Sequence, residues 1–192
     1  MHWGQGHPPG GAENPVPALL FFTVLYAVLA APVLSEGGLP PAMLAASAVL
    51  AVALVALSAI DLRAGRLPDA ITLPMVLTGP AAAWVFGWDS PVWRIGAAAA
   101  GFLFLYGVAL SYRRIRGRDG LGLGDAKLLA AAGAWLGFQG LPAVMLWATG
   151  TALAAAAAAA LLGHRITGAS RMPFGPFLAL GFWLVWLYGP LS

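Results

Sequence analysis

Charged residues are scarce in this chain, and cysteine is missing from it altogether. Of its 192 residues, 9% are charged and 60% are hydrophobic. A chain of this length cannot bury so much apolar surface in a core of its own, which excludes a water-soluble protein. The lack of cysteine excludes disulfides and thiolate metal sites. The composition therefore indicates a membrane protein whose apolar surface faces lipid.

The apolar stretches favour helices over a β-barrel. A membrane helix needs about 20 mostly apolar residues, whereas a barrel strand alternates apolar and polar side chains. Runs such as 45–60 and 153–162 are apolar on every face. We therefore predict an all-α, polytopic transmembrane helix bundle of about seven spans, within a range of about six to eight. The spans are expected near residues 16–34, 42–60, 70–88, 92–112, 126–140, 142–162 and 174–190.

Two segments stand out by composition. Residues 1–15 are rich in glycine and proline, which predicts a flexible tail ahead of a single membrane domain over 16–192. Residues 154–160 are all alanine. Small side chains let membrane helices approach closely, so we expect this run at a contact between helices.

Arginines cluster after the second, fourth and sixth predicted spans, which places them on one side of the membrane. They are Arg63 and Arg66, then Arg113, Arg114, Arg116 and Arg118, and finally Arg165 and Arg171. The positive-inside rule makes that side cytoplasmic. Aromatic residues are not interleaved with the cations of 113–118, so we expect contact with lipid headgroups and no nucleic-acid partner.

Two aspartates lie at span ends on that same side. Asp61 closes the second span, and Asp125 opens the fifth, directly after Gly122-Leu123-Gly124. Two carboxylates brought close in a weakly hydrated site cannot both ionise cheaply, so one keeps its proton while the other acts as a base. That is the arrangement of an aspartyl protease, in which one carboxylate activates water and the other polarises the scissile carbonyl.

The glycines before Asp125 have two interpretations. Gly122 and Gly124 free the backbone for unusual dihedral angles and for close approach of a substrate strand. Alternatively, they form an ordinary loop in which Asp125 caps the next helix. Asp61 has a similar alternative, as a capping or snorkelling residue beside Arg63.

Three sequence blocks occur in a characteristic order. The first is D-x6-P-D-x-I-T-L-P over 61–74, the second begins GLGDAKLLAA at 122 and reaches 142, and the third is PFGPFLALG over 173–181. In this order they resemble the type IV prepilin peptidase family, intramembrane aspartyl proteases with a Gly-x-Gly-Asp signature. The resemblance covers about residues 42–190.

The resemblance implies a function and a set of site residues. Members remove the basic leader from prepilins and pseudopilins at the cytoplasmic side of the bacterial inner membrane. It implies Asp61 and Asp125 as the catalytic pair, Gly122 and Gly124 as motif glycines, and a Pro-Phe-Gly-Pro segment near the catalytic region. No cofactor or metal is expected. Methylating members carry paired CxxC motifs before the core, so this cysteine-free chain is expected to be a peptidase without methyltransferase activity.

Two further charged residues have open roles. Asp69 is either a carboxylate that supports the catalytic pair or contacts the substrate, or the N-cap of the third span. Lys127 either biases the aspartate pair electrostatically or reaches lipid headgroups.

A different class of function also fits paired membrane aspartates. They relay protons or bind a cation in transporters and assembly proteins. Many transporters contain repeated halves with broken spans in matching positions, and this sequence shows no such repeat. The peptidase hypothesis is therefore preferred.

Overall fold

The computed structural model describes residues 16–35, 40–88, 90–117, 122–162 and 173–190. Within these ranges the secondary structure is entirely helical, as predicted. The predicted flexible tail, residues 1–15, lies outside them. In chain order the helices are α1 (Val16–Ser35), α2 (Pro41–Ala64), α3 (Asp69–Phe86), α4 (Pro91–Arg116), α5 (Leu123–Leu136), α6 (Gly140–Leu161) and α7 (Gly175–Tyr188).

The helices confirm a polytopic membrane bundle. Helices α1 to α4 and α6 each have 18 residues or more and are apolar enough to cross a bilayer. Helices α5 and α7 have 14 residues each, which is about 21 Å at 1.5 Å per residue. The hydrocarbon core of a bilayer is about 30 Å thick. The two short helices therefore do not cover the full thickness by themselves.

Glycines end three of the long helices. Gly65, Gly87 and Gly117 follow α2, α3 and α4 with φ values of 57°, 66° and 66°. A side chain is strained in this left-handed conformation, which glycine adopts at little cost, so each helix stops there. The predicted ends were accurate to a few residues for most spans. The fifth helix begins three residues earlier than expected, at Leu123, and ends at Leu136 rather than near 140.

Helix α5 lies at the centre of the bundle. It packs between α3 and α4 and also touches α6 and α7. Its residues from Leu128 to Trp135 are all buried. Burial of this whole stretch shows that neighbouring helices, rather than lipid, surround it. Asp125, in the first turn of this helix, is thus carried by the most enclosed element of the fold.

Glycines in α3 and α4 allow these two helices to pack closely against α5. A Cβ atom at Gly79 of α3 would lie 2.5 Å from the carbonyl oxygen of Ala134, and one at Gly101 of α4 would lie 2.7 Å from that of Leu129. Both distances are shorter than any real contact of a Cβ atom. Backbone-to-backbone approach of this kind is typical of membrane helices with small residues at their interface.

The alanine run of α6 does not serve that purpose. Residues 154–160 are exposed or half-buried, so the prediction that they lie at a close helix contact is wrong. The buried residues of α6 lie nearer its beginning, at Gly140, Ala143, Val144 and Ala148. Alanine is compatible with close packing but does not require it.

Gly133 of α5 provides a test of this packing. A Cβ atom there would overlap the backbone carbonyl of Ala97 in α4, so Gly133→Ala should destabilise the protein by about 1–3 kcal/mol through overpacking. At Gly107 of α4 a Cβ atom meets nothing within 4 Å. Gly107→Ala should therefore be neutral or stabilising, because alanine is the better helix former. Thermal unfolding in detergent measures both, and equal effects would contradict the packing described.

Candidate active site

Asp61 is held by the beginning of another helix. It lies in the last turn of α2 and is 6% exposed. Its Oδ2 accepts a hydrogen bond of 3.0 Å from the backbone N–H of Gly175, the first residue of α7. The first N–H groups of a helix have no partner within the helix, and the helix dipole favours negative charge there. The start of α7 is therefore a suitable donor for a buried carboxylate.

Asp125 is held by the beginning of its own helix. It is the third residue of α5 and is 9% exposed. Its Oδ2 accepts a hydrogen bond of 3.3 Å from the N–H of Gly122, which directly precedes the helix. The alternative of Asp125 as the cap residue itself is wrong, because Gly122 occupies that position. Asp125 instead reaches back one turn to bond the cap residue.

The two carboxylates belong to one site. Leu67, six residues after Asp61, lies against Gly124, the residue before Asp125, although 64 positions separate the two aspartates in the sequence (125 − 61). The site is formed where the end of α2 meets the beginnings of α5 and α7. The structure thus brings the two predicted residues together, and their catalytic role stays a prediction.

The motif glycines act differently from the expectation. The φ angle of Gly122 is −79°, and Gly124 is not among the described glycines with positive φ. The expected unusual dihedral angles are therefore wrong for both. Gly124 lies inside α5, where a Cβ atom would lie 2.9 Å from the Cβ atom of Leu67. A side chain at position 124 would therefore clash with Leu67 in the connection between α2 and α3. A role of Gly124 in substrate approach stays a prediction.

Asp69 and Lys127 form an ion pair beside the site. The Lys127 Nζ lies 2.5 Å from Asp69 Oδ1, with side chains 28% and 56% exposed, respectively. Asp69 is the first residue of α3 and makes no capping hydrogen bond, since Pro68 occupies the cap position. The capping alternative for Asp69 is therefore wrong. The pair instead connects α3 to α5. Asp69 is two residues after Leu67, and Lys127 is two residues after Asp125.

Sequence reasoning did not single out Gly175. A Cβ atom at this position would lie 2.5 Å from Asp61 Oδ2, so the residue is part of the site by contact. Its signal in the sequence was the Pro-Phe-Gly-Pro segment, which the family resemblance placed near the catalytic region. Leu67, the neighbour of Gly124, carried no signal, because a leucine in an apolar chain is not distinctive.

The other end of α5 is also satisfied by a neighbour. Arg94, near the beginning of α4, is buried and donates a hydrogen bond to the carbonyl oxygen of Trp135. Its guanidinium carbon lies 5.9 Å from the centre of the Trp88 ring. A cation near a helix C-terminus bonds the last carbonyls and complements the dipole. The short central helix thus has polar partners at both ends.

Comparison with known proteins gives the family. The sequence pattern of the Type IV leader peptidase family matches residues 48–158, more than half of the chain and including both aspartates. The chain belongs to this family. It is 43% identical over 153 residues to a prepilin leader peptidase/N-methyltransferase of Burkholderia pseudomallei (strain 1026b), covering 80% of this chain. It is 37% identical over 182 residues to one of Aeromonas hydrophila, covering 94% of this chain.

The chain matches part of the length of these leader peptidases. The chain spans 49% of the Burkholderia protein and 60% of the Aeromonas protein. No solved structure matches.

Membership in a peptidase family favours the aspartyl protease hypothesis over that of a proton- or cation-coupled transporter. The family match ends at residue 158, so the contact from α7 to Asp61 lies beyond it.

The proximity of the carboxylates can be tested in this cysteine-free chain. A short thiol-to-thiol cross-linker should join the cysteines of an Asp61→Cys/Asp125→Cys variant in high yield, as read by mass spectrometry of proteolytic fragments. The control pair is Asp61→Cys/Tyr188→Cys. Tyr188 ends α7, about 20 Å along the helix from Gly175. Comparable yields for the two pairs would contradict the site.

The ion pair beside the site predicts a charge-swap effect. Asp69→Lys places two cations together and should lower stability, by roughly the 0.2–1 kcal/mol typical of exposed pairs. Lys127→Asp places two anions together and should do the same. The combined swap, Asp69→Lys/Lys127→Asp, should recover the loss in thermal unfolding. Additive losses in the double variant would show that the two side chains do not interact in solution.

Proposed function

We propose that this protein is a membrane-embedded aspartyl endopeptidase that removes the leader peptide from type IV prepilins or pseudopilins. The observation that carries the proposal is the pair of buried carboxylates, Asp61 and Asp125, each bonded by a backbone N–H at the start of a helix. Membership in the Type IV leader peptidase family supports the reaction. The names of the relatives support a prepilin as substrate.

The reaction follows from a pair that shares one proton. The ionised carboxylate takes a proton from a water molecule as the water oxygen bonds to the carbon of the scissile carbonyl. The protonated partner donates a hydrogen bond to the carbonyl oxygen, where negative charge develops. The C–N bond then breaks, and a proton from the pair passes to the departing amine.

The backbone donors make the pair suitable for this chemistry. A carboxylate bonded to a fixed N–H has a defined orientation, because rotating the carboxyl group breaks the bond. The N–H groups of Gly175 and Gly122 are fixed by helices and need no rearrangement when charge moves between the acids. Preorganised donors of this kind stabilise charge without reorganisation during the reaction.

The position of the pair suits a substrate that is partly in the membrane. A prepilin carries a short basic leader followed by a long apolar helix. We place that helix in the bilayer against the bundle, with the cleavage site at the membrane end where α2 stops and α5 begins. A peptidase with its acids at that depth reaches the junction between leader and helix without extracting the helix from lipid.

The arginines support a location and an orientation. Arg63, Arg66, Arg113 and Arg114 are exposed and lie at the ends of α2 and α4, which is the end of the bundle that carries the aspartates. By the positive-inside rule that end faces the cytoplasm. The proposal therefore locates the protein in the inner membrane of a bacterial-type cell, with its active site toward the cytoplasm.

Asp69 and Lys127 are proposed to support the site without taking part in the chemistry. Their ion pair joins α3 to α5 beside the contact between Leu67 and Gly124. Held in this way, the connection between α2 and α3 keeps the end of one aspartate-bearing helix against the start of the other.

Asparagine at either catalytic position should abolish leader cleavage. Asp61→Asn and Asp125→Asn preserve side-chain shape but remove the group that ionises, and loss of general acid–base catalysis costs on the order of 10²- to 10⁴-fold. Folding does not need the charge, so both variants should accumulate in the membrane at wild-type levels. Co-expression with a candidate prepilin, and the gel shift on leader removal, measures the activity.

The matched control is Asp89→Asn. Asp89 lies outside the described residues. It follows the third predicted span, which puts it on the side of the membrane opposite to the arginines. The variant should therefore cleave normally. Cleavage near the wild-type rate by Asp125→Asn or Asp61→Asn would exclude that residue from catalysis. A wild-type protein that processes no prepilin, yet moves protons or cations in vesicles, would favour the transporter hypothesis instead.

A further inference from the structure

Gly175 makes two separate contacts with Asp61. Its N–H donates the hydrogen bond to Asp61 Oδ2. Its missing side chain leaves the space that the carboxylate occupies, since a Cβ atom would lie 2.5 Å from Oδ2, 2.9 Å from Cγ and 3.3 Å from Cβ of Asp61. All three nearest atoms thus belong to one residue. A side chain at position 175 competes directly with the aspartate for its place.

Helix α7 cannot easily retreat to make room. Leu178 and Phe182 on this helix are fully buried. The indole N–H of Trp183 donates to the carbonyl oxygen of Tyr26 in α1 at 3.2 Å. Protein interiors packed in this way tolerate little displacement. The single carboxylate side chain at the end of α2 is the part that moves more readily.

A second face of α7 is packed about as closely. A Cβ atom at Gly181 would lie 2.6 Å from the carbonyl oxygen of Val144 in α6. Helix α7 is therefore confined between α6 and the end of α2. Its first residue has a fixed position relative to Asp61.

We propose that Gly175 is a positioning residue for Asp61, which it orients through its N–H and accommodates through its lack of a side chain. The inference rests on the proposed function, because it assigns Gly175 a part in the same reaction. In this role the start of α7 orients the carboxylate of Asp61 toward the substrate.

The proposal predicts a loss in turnover rather than in substrate binding. In a Gly175→Ala variant the carboxylate has to move by about 1 Å, and a displacement of that size costs about 10²-fold in rate. The substrate helix and leader bind through a much larger surface than this one contact. We therefore expect kcat to fall about 10²-fold and KM to stay within about threefold of wild type.

Gly181→Ala is the matched control on the same helix. It introduces the same methyl group against a similarly close neighbour, the carbonyl oxygen of Val144, but six residues along the helix from Gly175. Thermal unfolding should show lower stability for both variants, whereas kcat of folded Gly181→Ala should stay within about threefold of wild type. A loss of kcat below about tenfold in Gly175→Ala, or an equal loss in Gly181→Ala, overturns the proposal.

A backbone ester at position 175 decides the matter if Gly175→Ala does not fold. Replacing the peptide nitrogen by oxygen removes the donor to Asp61 and adds no bulk. The first N–H groups of a helix have no partner within it, so α7 loses no N–H donor that it uses itself. The Phe174 carbonyl becomes the ester carbonyl and remains a weaker acceptor for the N–H of Leu178. Because the hydrogen bond fixes the orientation of the reacting carboxylate, kcat should fall about tenfold or more. Unchanged kcat in the ester variant overturns the proposal.

The outcomes separate this inference from the function on which it rests. If wild-type protein does not cleave the prepilin, the proposed function fails. If wild-type protein cleaves it, and either Gly175→Ala or the ester variant cleaves it with the same kcat, only the role of Gly175 fails.

Discussion

The rest of the structure depends on the need to keep two carboxylates in an apolar bundle. A charge in a bilayer is costly unless polar groups surround it, and this chain has few charged side chains for that purpose. The fold meets the need with backbone N–H groups at the starts of α7 and α5, which donate to Asp61 and Asp125. Helix starts supply such donors without adding any further charge, because their first N–H groups are unpaired.

The short lengths of α5 and α7 fit this solution. A helix that crossed the whole bilayer would begin in the headgroup region, where its free N–H groups face water. With 14 residues each, α5 and α7 begin where the end of α2 carries Asp61. Arg94 satisfies the far end of α5 at Trp135. Close packing at Gly79 and Gly101 then encloses the helix laterally, so the site rests on a rigid support.

The errors of the sequence analysis share a physical cause. Glycine is compatible with unusual dihedral angles and with close contact, and the pattern around Gly124 does not reveal which applies. The structure shows contact, with Leu67. Alanine in 154–160 is compatible with tight packing, yet it is exposed or half-buried. Asp69 was compatible with capping α3 and with a place beside the catalytic pair, and its ion pair with Lys127 of α5 depends on how the two helices pack.

The sequence by itself determined the class of protein and the helices, and it was sufficient to select Asp61 and Asp125 as the predicted catalytic pair. Apolar runs and interrupting glycines act locally, so composition and order suffice to predict them. Only the tertiary structure decided which groups meet across the bundle. The bond from Gly175 to Asp61 joins residues 114 positions apart, and the space at Gly124 depends on Leu67. Such contacts follow from how helices pack in three dimensions, and no local pattern encodes them.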